Sequence, residues 1–137
     1  MANTTALCVT AKQGFLSGAF AAGDTYNIAL FTNAATLSEN TTAYAATNEV
    51  ANGNGYATGG KALTGITYAT TTGTGSIDWG DASWSASTIT ARGCMIYKVG
   101  GVNPAIAVYD FGGDIVSTAG TLTVTIPAAG TGVVRFG

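Results

Sequence analysis

The chain contains no histidine, and only 9% of its residues are charged. It therefore lacks the side chain that most often serves as a general base or metal ligand near neutral pH. Serine hydrolase chemistry loses its usual base, and no G-x-S-x-G elbow is present to expose a nucleophile. Five Lys plus Arg stand against seven Asp plus Glu, for a net charge of −2, too few cations to grip a phosphate backbone. The two cysteines, Cys8 and Cys94, sit in the apolar settings LCVT and RGCMIY, with no C-x-x-C pair. They read as two buried thiols, with a disulfide as the second reading, and a metal site has no support without histidine. No apolar run approaches the ~20 residues of a membrane span, and MANTTALCVTAKQGF has no basic segment leading into an apolar one. The expectation is synthesis and folding in a cytoplasm, with no membrane, nucleic acid, cofactor or small-molecule substrate as partner.

What is present is small and apolar. Thr, Ala and Gly make up nearly half of the 137 residues. Hydrophobic residues reach 47% with a mean hydropathy of +0.32, which argues against disorder. The length suits one domain, residues 1–137. Sparse charge on small residues suits a surface covered by neighbours or one that binds a neutral partner.

Along the chain, TALCVTAKQGFLSGAF places Leu7, Val9 or Ala11, Phe15, Leu16 and Phe20 at roughly helical spacing. This predicts a short amphipathic helix ended by AAGD and weakened by Gly14 and Gly18. YNIALFT, Tyr26 to Thr32, reads as a strand with Tyr26, Ile28 and Leu30 on one face. Residues 33–60 form a Gly/Thr/Asn-rich stretch too long for a passive connection.

From ALTGITYATT onward the pattern is β: a short GSIDWG strand, a long STITARGCMIYK strand and a central PAIAVYDF strand. In TLTVTIPA, Leu122, Val124 and Ile126 alternate with threonines, and TGVVRFG closes the chain. GG at 100–101 and 112–113 and AG at 119–120 and 129–130 read as turns. The expected fold is mainly β: a single-domain antiparallel β-sandwich or barrel of about 6–8 strands, with a short N-terminal helix and a long loop.

Several near-motifs dissolve on inspection. Gly55–Ala62, GYATGGKA, follows the phosphate-loop pattern except at Ala62, which lacks the hydroxyl that holds Mg²⁺. The residues after it are β-type, so no helix N-terminus faces a phosphate. Its glycines read as positions of positive φ. Asp110-Phe111-Gly112 spells the kinase magnesium motif, but it reads as a strand end entering a Gly-Gly turn. The pairs Asp78/Asp81 and Asp110/Asp114 could bind a cation, yet Asp favours turns without one. As a glycosidase pair they would need an aromatic-lined cleft. The tyrosines and tryptophans could form a sugar platform, though core packing is their commoner use. The threonine runs could bind ice, but T-x-T recurs at no fixed period.

The order of segments resembles a family of small virion structural proteins of tailed bacteriophages. It runs AKQGFLSGAF, DTYNIALFTNAATL, TTAYAATNEVANGNGYATGGKAL, WSASTITARGCMIYK and AIAVYDFGGDIVSTAGTLTVTIP. The shared elements fall at Lys12, Gln13, Leu16 and Gly18, at Asn48–Lys61 (here NEV-x-x-G-x-GY-x-x-GG-K), at Trp84 with Thr88–Arg92, and at Asp110–Gly112. Gly14-Phe15 departs from relatives, which often carry a charged residue and Leu there.

The resemblance implies a non-enzymatic particle component, foremost a capsid decoration (cement) protein assembled in the host cytoplasm. Its partners would be the major capsid protein and copies of itself, in a trimer. A tail, neck or baseplate component is the alternative, and an adhesin or carbohydrate-binding module a more distant one. The expected interface is Glu49, Gly55, Tyr56, Gly59, Gly60, Lys61, Trp84 and Arg92, with the 53–60 loop flat against a neighbour. Because charge is scarce, Glu49, Lys61 and Arg92 are expected to be paired, Lys61 with a carboxylate.

Overall fold

The computed structural model describes residues 6–20, 23–71, 73–125 and 134–136. In chain order these form β1 (Ala6–Leu7), α1 (Val9–Ser17), β2 (Tyr26–Phe31), β3 (Lys61–Ala62), β4 (Thr67–Thr71), β5 (Thr74–Asp78), β6 (Ala82–Lys98), β7 (Ala105–Val124) and β8 (Val134–Phe136). They make two antiparallel sheets, a five-stranded one in the order β1-β7-β6-β2-β3 and a three-stranded one in the order β4-β5-β8. The mainly β, sandwich-like architecture with one short helix is the one the sequence pattern implies.

The β6–β7 ribbon organises everything else, and its two halves differ. In the base, Gly93–Lys98 lies between β2 and residues 105–110 of β7. These strands are apolar on both faces but for Asn27, Lys98 and Asp110, because both faces are covered. Tyr26, Ile28, Leu30, Cys94 and Ile96 join the larger core, whereas Ala29, Phe31, Met95 and Tyr97 point into a second core under residues 33–44. In the arm, 82–91 of β6 pairs with 115–124 of β7, and burial alternates. Ala82, Trp84, Ile89, Ala91 and Leu122 join the larger core that also holds Ile77 and Trp79, while the intervening residues are mostly exposed, so only one face is covered.

Base and arm are separated by a wide bulge. Pairing advances two residues on β6, from Gly93 to Ala91, but five on β7, from Asp110 to Ile115. The Asp110-Phe111-Gly112 stretch, read from sequence as a strand end at a turn, is thus an extrusion within one long strand. Asp110 accepts Arg92 Nε–H at 2.9 Å and the Gly112 amide, and Gly112 takes φ 80 with open space around it. The local carboxylate-to-amide bond lets pairing resume rather than stop. Ala119-Gly120, also expected as a turn, is a second irregularity inside β7, with Ala119 at φ 46. Gly100-Gly101 does turn, closed by Asn103 N–H to Gly100 O at 3.0 Å. Ile126 and the 129–130 turn lie outside the described residues.

The helix needs a larger correction. It ends at Gly18, φ 76, whose left-handed conformation caps it before AAGD. Leu7 precedes it in β1, and Leu16, expected on the buried face, is 90% exposed. The buried positions are Ala11 and Gly14. Gly14 is needed because Phe20 folds back over it, and a Cβ there would meet that ring at 2.1 Å. Cys8 and Cys94 are free, buried thiols in different cores, and burial pushes them up to about 11 and about 12.

Candidate contact surface

The long loop after β2 is held by one carboxylate. Asn48 O accepts Thr32 N–H and Leu30 O accepts Val50 N–H, both at 2.9 Å, so 48–50 runs beside β2. This places Glu49 to accept Tyr44 OH at 2.5 Å on Oε2, with Tyr56 OH at 2.6 Å and Gly59 N–H at 2.8 Å on Oε1. Tyr56 OH in turn accepts Leu30 N–H at 2.9 Å, and Tyr97 OH donates to Gly59 O at 2.6 Å while its ring stacks on Tyr44. Burial, reinforced by the bond to the Glu49 carboxylate, raises both the Tyr44 and Tyr56 phenols well above the usual tyrosine range. Phenols so held stay protonated and donate; they are fasteners rather than bases.

The glycines let the loop reach its own sheet. Gly60 (φ 77) lies so close to β2 that a Cβ would come 1.8 Å from Ile28 O. Gly55 (φ 88) would meet Ser87 Cα at 2.8 Å. Thr88 N–H donates to Asn54 O at 2.9 Å, and Lys61 Nζ donates to Ser83 O while lying 5.5 Å from the Trp84 ring centroid.

Glu49, Gly55, Tyr56, Gly59, Gly60, Lys61 and Trp84 therefore come together, and Arg92 stands apart with Asp110. The contacts are with the chain's own β2 and β6, and Tyr56 and Trp84 are buried. Two expectations are corrected. Glu49 is held by phenols and an amide instead of a cation, and Lys61 sits on a carbonyl and an indole instead of a carboxylate. Hydrogen-bond donors close enough to saturate Glu49 come from its own loop, so no opposite charge is needed.

These contacts close one edge of the arm. Past the end of β2, β6 is capped by Asn54 and Lys61. The other edge differs: β1 covers β7 only at Ala107 and Val108, and among the described residues no strand lies outside Ile115–Val124. The arm's outer face carries Ser83, Ser85, Thr88 and Thr90 from β6 and Val116, Thr118, Thr121 and Thr123 from β7, all exposed and none charged. Sequence reasoning missed this surface, although IVSTAGTLTV, free of charge and proline over ten residues, was its visible sign.

It also missed Ser87 and Ser117, buried in the arm. Ser117 Oγ accepts Ile89 N–H at 3.1 Å and lies 2.9 Å from Ser87 Oγ, which reaches Trp84 O at 2.9 Å and Gly120 O at 3.2 Å. They satisfy backbone groups that the bulges leave unpaired.

Among the described residues no group of three or more His, Cys, Asp or Glu could hold a metal ion, and no helix is long and apolar enough to cross a membrane. Asp78 has one buried oxygen without a partner and Trp79 a buried unpartnered indole N–H. Compared with known proteins, the chain matches no family model, no curated protein and no solved structure.

Proposed function

We propose that the protein is a non-enzymatic structural component of a bacteriophage virion, a capsid decoration protein that stabilises the head through contacts with the major capsid protein and with copies of itself. The observation that carries this reading is the arm: a two-stranded ribbon with one exposed, uncharged face and one edge that no described strand covers. A face of hydroxyls without charge costs less to desolvate than an ionic one, and a neighbour that bonds those hydroxyls can cover it without stranding ions. Backbone groups on the open edge can add directional bonds to such a contact. The order of sequence segments that resembles phage structural proteins gives the reading its particular setting.

The test is the composition of purified particles that carry this chain. Decoration requires copies in proportion to the major capsid protein, read from gel band intensities, and loss of heat resistance in particles lacking the chain. A trace amount per particle would move the protein to the neck, tail or baseplate. Complete absence from the particle would sink the virion reading.

A further inference from the structure

We infer that the open edge of the arm pairs with the same edge of a second copy of this chain, antiparallel and about a two-fold axis between Ala119 and Gly120. The inference rests on reading the arm as a contact surface, but it does not depend on the particle in which that contact would serve.

Three observations support it. First, the two edges of one ribbon are treated differently. The β6 edge is met at Thr88 N–H by Asn54 O and at Ser83 O by Lys61 Nζ, whereas Ile115–Val124 of β7 has no strand beside it among the described residues. Second, the side-chain protections of a free edge are missing there, although the strand is bulged at Ala119-Gly120. Monomeric sheets blunt such edges with lysine, proline or inward charge, and IVSTAGTLTV has none of these. Val116, on the outer face of this strand, is 62% exposed.

Third, the segment mirrors itself. Cross-strand pairing puts Ile115, Ser117, Leu122 and Val124 on the side of Ala91, Ile89, Trp84 and Ala82, with Ile115, at the end of the arm, still 36% exposed. Val116, Thr118, Thr121 and Thr123 take the solvent side. The irregularity at Ala119-Gly120 reverses the order of sides, so the pattern reads the same in both directions from that point. A two-fold axis there sets Val116 against Thr123 and Thr118 against Thr121 on one face, with Ile115 against Val124 and Ser117 against Leu122 on the other. Every pair keeps its members on matching faces, as an isologous contact requires. A one-residue slip would set outer residues against inner ones. The strand thus matches itself face for face in this register, and a second copy is the occupant that this self-match supports.

The test uses the full chain in solution. Light scattering on the eluting protein should give twice the chain mass of 13.6 kDa at high concentration, dissociating on dilution. The variant Val116→Lys/Thr123→Lys places like charges opposite each other at both symmetry-related pairs and should weaken the dimer about tenfold or more. Val116→Lys/Thr123→Glu sets opposite charges at the same two places and should restore it. Both sites face solvent, and circular dichroism is the check that each variant is folded. A mass of one chain at every concentration, or a trimer, overturns the proposal. So does a dimer indifferent to the paired lysines, or one that the Lys/Glu variant fails to restore. Monomers in solution together with abundant copies on particles would remove this inference and leave the proposed function standing.

Discussion

The base and the arm of the β6–β7 ribbon are built from the same two strands, yet they solve opposite problems. In the base, both faces are covered and β2 occupies one edge, so Met95, Ile96 and Tyr97 are all buried in succession. In the arm, only one face is covered and the residues alternate, as in Trp84, Ser85 and, across the ribbon, Leu122 and Thr123. The base secures the fold by burial. The arm keeps its register through bulges and buried hydroxyls, which leave an uncharged face and an edge available for contact.

The sharpest way to break the base is at Gly60. Gly60→Ala must hold positive φ and force a Cβ to within 1.8 Å of Ile28 O. Left-handed strain together with overpacking should cost about 2–5 kcal/mol in urea unfolding. Gly112, at φ 80 in the bulge between base and arm, has nothing within 4 Å of its missing Cβ, so Gly112→Ala should cost only about 1–2 kcal/mol. Equal effects would show that the close approach of the loop to β2 is unimportant.

Glu49 comes next. Glu49→Ala strands Tyr44 OH, Tyr56 OH and Gly59 N–H together, and the expected loss is about 3 kcal/mol. Glu49→Gln keeps one acceptor oxygen and should recover part of it. If the carboxylate fastens the loop, amide exchange between Val50 and Gly60 speeds up in the alanine variant while the arm's exchange is little changed. Uniform acceleration along the chain would refute that division.

In the arm the comparable fastener is Ser87. Ser87→Ala removes the hydroxyl that serves the Trp84 and Gly120 carbonyls, an expected loss of about 1–2 kcal/mol. The effect should be smaller than at Glu49, because fewer groups are orphaned. A larger loss would mean that the arm, and not the base, limits stability.

How much of this was legible in the sequence follows the same division. PAIAVYDF announced a central strand because it is apolar on both faces, YNIALF announced a strand through Tyr26, Ile28 and Leu30 on one face, and TLTV showed its two faces by alternation. The NEVANGNGYATGGK stretch stood out as glycines needing special backbone, and Tyr56, Gly59 and Gly60 are indeed where the loop is tied. Its fastening was not legible. That Glu49 meets two phenols and an amide depends on three residues spread from Tyr44 to Gly59 meeting in space, and scarce charge suggested ion pairs instead. The register jump at DFGG was hidden because Gly-Gly ends strands more often than it bulges them. Leu16 misled by its spacing alone, since Phe20 takes the buried place by folding onto Gly14. Ser87 and Ser117 look like any surface serine until the bulges leave carbonyls for them to serve.

The smallest expected effect lies at the junction of base and arm. Arg92, expected to be paired, does meet Asp110, at 2.9 Å, a tighter contact than the 3.5 Å of Lys12 and Glu39. Arg92→Ala should therefore destabilise the protein more than Lys12→Ala, though modestly, because both pairs stand in contact with solvent. The hydrogen bond from Arg92, followed by that from the Gly112 amide, holds the Asp110 carboxyl below its ordinary value of 3.8. A folded-state value below the unfolded one adds stability above the unfolded value and surrenders it as pH falls through the folded value. The wild type should thus lose thermal stability more steeply than Asp110→Asn on acidification below 3.8, while the two curves run parallel at neutral pH. Arg92→Ala should flatten the wild-type curve in the same window, since it removes the main cause of the shift. Parallel curves for all three proteins through the acid range would mean that the bulge is held by the backbone alone, and that base and arm are joined without help from this pair.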